Sequence, residues 1–70
     1  MTDSAALRDL IASRGLKYQY IAKCLNISRE TLDRKIKNKS DFRTGEVQLL
    51  CEMLGITEPA DKERYFFAQV

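Results

Sequence analysis

The apolar residues of this chain recur at helical rather than alternating spacing, in short runs separated by one or two punctuating residues. Leu7, Leu10 and Ile11 form a first stripe within Ser4 to Arg14, a segment that Asp3 or Ser4 can cap and Gly15 can end in a left-handed turn. Ile21, Ala22 and Leu25 form a second stripe, in a helix from about residue 17 or 18 to residue 25. Asn26 follows, and asparagine is the commonest residue after glycine at positive φ. Ile27 is then expected to point inward. Ser28 is a good N-cap for a third helix reaching Lys37, with Glu30 in the first turn, where the helix dipole favours negative charge. The apolar positions of that helix are only Leu32 and Ile36, four apart and on one face; Arg29, Glu30, Thr31, Asp33, Arg34, Lys35 and Lys37 are all polar.

A polar loop, Asn38-Lys39-Ser40-Asp41, precedes Phe42, which is expected to plug the core. Thr44 is read as the cap of a fourth helix through Leu54, carrying Val47, Leu50, Cys51 and Leu54 on one face. Gly55 ends it and Ile56 packs back. Thr57-Glu58-Pro59 opens a short fifth helix, residues 58–64, with proline acceptable in the first turn. For the tail, residues 65–70, helical and extended conformations both stay open. The pattern therefore predicts an all-α fold of four or five helices, in a single domain spanning residues 1–70.

Composition narrows the class. A 70-residue chain leaves no room for a second domain. A chain of this size buries only about 60% of its unfolded surface, so association with a second copy or another protein would add stability. No apolar run approaches the roughly 18 residues needed to cross a membrane. The start, Met1-Thr2-Asp3-Ser4, has no basic stretch leading into an apolar segment, so no secretory signal is read and a soluble, cytoplasmic chain is expected. Cys24 and Cys51 both fall within apolar helical patterns and are expected to be small buried thiols rather than a disulfide. With no histidine and two separated cysteines, neither a zinc site nor any cofactor is expected.

The net charge of +2 conceals an asymmetry. From Arg14 to Arg43 there are nine Lys or Arg against three acids, Glu30, Asp33 and Asp41; from Thr44 onward five acids face two bases. A basic middle between neutral or acidic ends suits one face built for a polyanion, although a solvated charged surface would give the same count.

The informative unit is Lys17 to Lys39. Two short helices joined through Leu25-Asn26-Ile27-Ser28 must turn sharply. Ala22 supplies a small residue where they touch, Asn26 tolerates positive φ at the corner, and Ile21, Leu25, Ile27 and Leu32 anchor both sides. The stretch from Tyr18 to Leu32, with its Ile21-Ala22 pair, its Leu25-Asn26-Ile27-Ser28 turn and Thr31-Leu32, resembles the helix-turn-helix of the Cro and phage-repressor (XRE-like, lambda-repressor-like) family. The resemblance extends from about Leu7 to Ile56. The loop Asn38 to Phe42 and the tail Tyr65-Phe66-Phe67-Ala68 are similar to those of small phage-encoded members.

This resemblance implies a compact lambda-repressor-like bundle, usually a homodimer, whose third helix enters the major groove of double-stranded DNA. Base-reading positions carried over are Arg29, Glu30 and Arg34, with Asp33 and Ser28 behind them. Arginine can donate two hydrogen bonds to guanine and glutamate can accept from cytosine. Glu30 and Arg34, four apart, could equally form only a surface ion pair. Phosphate-contacting positions are Lys17, Tyr18, Thr31, Lys37, Asn38, Lys39, Ser40 and Arg43, which would orient the protein without specifying sequence. The family usually places glutamine where Tyr18 stands; a phenol can reach a phosphate but cannot form the amide clamp onto the first recognition-helix side chain. Asn26 stands where glycine is usual.

Tyr65, Phe66 and Phe67 either fold back onto the core or form a partner or dimer surface; three consecutive residues cannot all face inward. The function implied is a sequence-specific transcriptional regulator, in a phage or prophage switch, on a partly palindromic operator. It would work in the bacterial cytoplasm or infected host cell, associated with the nucleoid. The alternative is an antirepressor that docks onto a partner repressor protein through the same fold. An enzyme is not expected: there is no histidine, no glycine-rich phosphate loop and no metal-ligand cluster.

Overall fold

The computed structural model describes residues 1–68. Five helices follow one another, α1 (Ser4–Ser13), α2 (Tyr18–Leu25), α3 (Arg29–Ile36), α4 (Thr44–Leu54) and α5 (Pro59–Phe66), with no strand among the described residues. Each expected apolar stripe contributes to one core: Leu7 and Ile11 from α1, Ile21, Ala22 and Leu25 from α2, Leu32 and Ile36 from α3, Val47, Leu50, Cys51 and Leu54 from α4, and Phe66 from α5. Phe42 plugs one end, its ring edge-on to Phe66 with centroids 5.7 Å apart.

The helix ends follow from local chemistry. Asp3 is the cap of α1, accepting from the Ala6 N–H at 3.1 Å, and Ser28 caps α3 by accepting from the Thr31 N–H at 3.1 Å. The first four helices all stop on a residue at positive φ: Gly15 (70°), Asn26 (59°), Asn38 (65°) and Gly55 (74°). In each case the next N–H turns back to a carbonyl of the last turn: Leu16 to Ile11, Ile27 to Ala22, Lys39 to Arg34 and Ile56 to Cys51. These are Schellman-type terminations, which satisfy carbonyls that the helix leaves without partners.

Three expectations need correction. Cys24 is exposed, not buried. At about 100° per residue it lies off the centre of the stripe formed by Ile21, Ala22 and Leu25. Thr44 is the first residue of α4 rather than its cap; Arg43 holds the extended cap conformation, and Glu46 reaches back to accept its N–H at 2.8 Å. The arginine side chain has no acceptor with which to return the bond. Helix α5 runs on to Phe66, past the expected end at residue 64, because Phe66 completes the core. Lys35, one of the polar residues of α3, is buried at the edge of the stripe formed by Leu32 and Ile36. Of the tail, Tyr65 is half-buried with the Arg64 guanidinium 5.4 Å above its ring, Phe66 is in the core and Phe67 is exposed. Gln69 and Val70 lie outside the described residues.

Candidate nucleic-acid interface

Helices α2 and α3 pack directly against each other, and Ala22, the small residue expected at their contact, is buried. Asn26 turns the chain, Ile27 packs half-buried against the core, and the Ser28 cap starts α3 in a fixed direction. The inner face of α3 is held by Leu32 and Ile36, so its outer face is set by elimination: Arg29, Glu30, Arg34 and Lys37 all face solvent.

Charge pairing on this face differs from the simplest expectation. Among the described residues Glu30 and Arg34 do not bridge; the ion pair runs instead from Lys37 to Asp33 at 2.9 Å. The Lys37 hydrogen bond holds the Asp33 carboxyl below its ordinary range. Among the described residues Glu30 and Arg34 thus have no salt-bridge partner, whereas Asp33 is paired with Lys37.

Tyr18, the first residue of α2, stands half-buried beside the start of α3. It lines two adjoining concavities: one of about 470 Å³ with Lys17, Gln19 and Arg29, the other of about 360 Å³ with Arg29, Glu30, Asp33 and Arg34. Burial raises the pKa of its phenol, and Asp33 adds to the rise against the opposing pull of Arg8, Lys37 and Arg29. The hydroxyl thus stays a neutral donor at physiological pH. Arg8, exposed on α1, belongs to this electrostatic group and was not marked by the sequence. It lies outside the basic middle segment, and only the packing of α1 beside α3 places it here.

Other expected positions are divided by the fold. Lys17, Lys39 and Arg43 are exposed and Ser40 is half-buried, at the beginning of α2 and in the loop after α3. Ser28 and Thr31 bond to each other through their hydroxyls at 2.8 Å, in addition to the cap, so both are largely occupied in shaping the first turn. The Asn38 amide is turned inward, onto Thr2. Among the described residues no group of three or more His, Cys, Asp or Glu is placed to hold a metal, and no helix is long and apolar enough to cross a membrane.

Residues 6–61 match the family model of the Cro/C1-type helix-turn-helix DNA-binding domain. The chain belongs to this family. The match begins in α1 and ends inside α5, so it includes the whole helix-turn-helix and the loop after it. No curated protein and no solved structure matches the chain significantly. This Cro/C1-type domain is thus a DNA-binding module by family, with the solvent side of α3 and the start of α2 as its polar, cation-rimmed face.

Proposed function

We propose that this Cro/C1-type domain regulates transcription by reading a specific double-stranded DNA site through α3. The observation that carries the reading is that Arg29, Glu30 and Arg34, on an outer helix face that has no apolar residue, form no salt bridge among the described residues. An arginine there can donate two bonds to O6 and N7 of guanine, and Glu30 can accept from the N4 amino group of cytosine. Lys17, Tyr18, Lys37, Lys39, Ser40 and Arg43 flank that face at both ends and serve as phosphate contacts. Lys37 reaches its phosphate from the arm of Asp33.

The domain works as a homodimer on a partly palindromic operator, with two α3 helices in successive major grooves about 34–36 Å apart. Its proposed setting is a phage or prophage control circuit in a bacterial cytoplasm. Selection of bound duplex from a random pool tests the reading. It should enrich a two-fold related site, with affinity falling steeply as salt rises. A pool that shows no enrichment, together with no gel shift of random duplex at low salt, overturns it.

A second reading, an antirepressor docking onto another regulator, draws support from Phe67, whose ring is 55% exposed beside an exposed Met1. That pairing leaves an apolar spot bordering the loop after α3, beside Asn38 and Asp41, where a protein partner could sit. Gel shift on random duplex separates the two readings: only the DNA reader binds unaided.

A further inference from the structure

We propose that Asn38 is a positioning residue for the phosphate-facing loop, acting by clasping the backbone of Thr2. The inference rests on the reading that residues 37–40 face DNA, and it adds a part of the protein, the segment before α1, to the binding apparatus.

The four left-handed helix stops are not equivalent. At three of them the following residue, Leu16, Ile27 or Ile56, is partly buried against the core and locks the turn from inside. After Asn38 comes Lys39, which is exposed. This stop therefore lacks the apolar lock, at the very point where the chain leaves the recognition helix.

A polar clasp stands in its place. The Asn38 Oδ1 accepts from the Thr2 N–H at 2.8 Å, and its Nδ2 donates to the Thr2 carbonyl at 2.8 Å, so one side-chain amide closes on both backbone groups of a single residue. The same Nδ2 comes within 3.4 Å of the Ser4 hydroxyl, which in turn donates to the Ile36 carbonyl at the end of α3. Thr2 is itself buried, and on its far side the Asp3 N–H donates to the Tyr65 carbonyl at 2.9 Å. The first residues thus form a strap from α5 to the end of α3.

The clasp also explains the residue type. Glycine adopts a φ near 65° with less strain than asparagine, and would suffice if the position were only a turn. It has no amide. Lys37, Lys39 and Ser40 can engage phosphates together only if the chain leaves α3 in one direction, and the strap fixes that direction.

Asn38→Gly and Thr2→Pro test the idea by different routes. The first removes the amide while easing the backbone; the second removes the Thr2 N–H, together with the threonine side chain and the freedom of its φ. Affinity for the selected duplex, its salt dependence, thermal melting and hydrogen exchange of the Lys39 amide are measured for each. Both variants should bind about tenfold more weakly, with a salt slope shallower by about one phosphate. The Lys39 amide should exchange faster in both. Melting of Asn38→Gly should stay near that of the parent protein, which a merely structural loss would not allow. The double variant should bind no more weakly than Asn38→Gly alone. Parental affinity and exchange in Asn38→Gly would overturn the proposal. If the parent protein binds no duplex, the DNA reading fails, and the clasp then stands or falls on Lys39 exchange in Thr2→Pro.

Discussion

Lys35 on α3 and Glu46 on α4 form a buried ion pair, with Nζ 2.6 Å from Oε1 and both side chains about one-tenth exposed. The same carboxylate oxygen accepts the Arg43 N–H at 2.8 Å. One carboxylate therefore ties the recognition helix, the loop behind it and the start of α4 together.

Breaking this pair from one side leaves a charge with no partner in a nearly dry position. Glu46→Gln keeps an acceptor for the Arg43 N–H but strands the Lys35 ammonium, and should cost about 3–5 kcal/mol. Adding Lys35→Met should restore most of that loss, because methionine has a similar volume and no charge to bury. Urea denaturation of the two single variants and the double variant gives the coupling directly. Equal stability of Glu46→Gln and the parent would show that the pair carries no weight.

Acid should weaken the same tie. Burial pushes the Glu46 carboxyl up, but the Arg43 N–H, the Lys35 hydrogen bond and the two cations together leave it below its ordinary value of 4.5. A group depressed in the folded state contributes stability that is complete above its unfolded value and lost as pH falls through the folded one. Melting temperature should thus be level above about pH 5 with respect to this group and decline below pH 4.5. In Glu46→Gln this part of the acid limb should be absent, and a limb of unchanged depth would assign acid sensitivity elsewhere.

The two ends of the DNA face should respond differently to alanine. On the proposed reading, Arg34→Ala removes a base-reading group and should cost about 1–3 kcal/mol on the selected site while relaxing preference at one base pair. Lys39→Ala should weaken all sequences alike and reduce the salt slope by about one. Titrating both variants against the selected and a scrambled duplex, each at several salt concentrations, measures the contrast. Identical behaviour of the two variants would mean that the faces have been assigned wrongly.

The two thiols should separate cleanly in a labelling experiment. Cys24 is exposed on α2, whereas Cys51 is buried in the core and burial raises the pKa of its thiol. A thiol reagent should modify Cys24 rapidly in the native protein and reach Cys51 only on the slower timescale of opening. Cys24→Ser should abolish the fast phase. Two fast phases in the parent would contradict the packing of α4.

Much of this could be read before any coordinates. The spacing of Leu7 and Ile11, of Ile21 and Leu25, and of Val47 to Leu54 fixes which helix faces are wet, since a 3.6-residue period leaves little choice. Asn26, Ser28 and Gly55 mark helix boundaries through their own backbone chemistry, which needs no distant partner. The outer face of α3 was legible for the same reason: once Leu32 and Ile36 point inward, Arg29, Glu30 and Arg34 cannot.

What the sequence could not reveal are pairings between residues far apart in the chain. Lys35 reads as one more surface cation until α4 arrives with Glu46, and Asn38 reads as a loop donor until Thr2 is laid against it. Cys24 shares the composition of a buried stripe but sits at its edge, and only the neighbouring helices decide where an edge ends. Local periodicity and caps are properties of a few consecutive residues and are therefore written in the sequence. Which polar group meets which depends on how whole helices dock, and that is settled by the packing of the core.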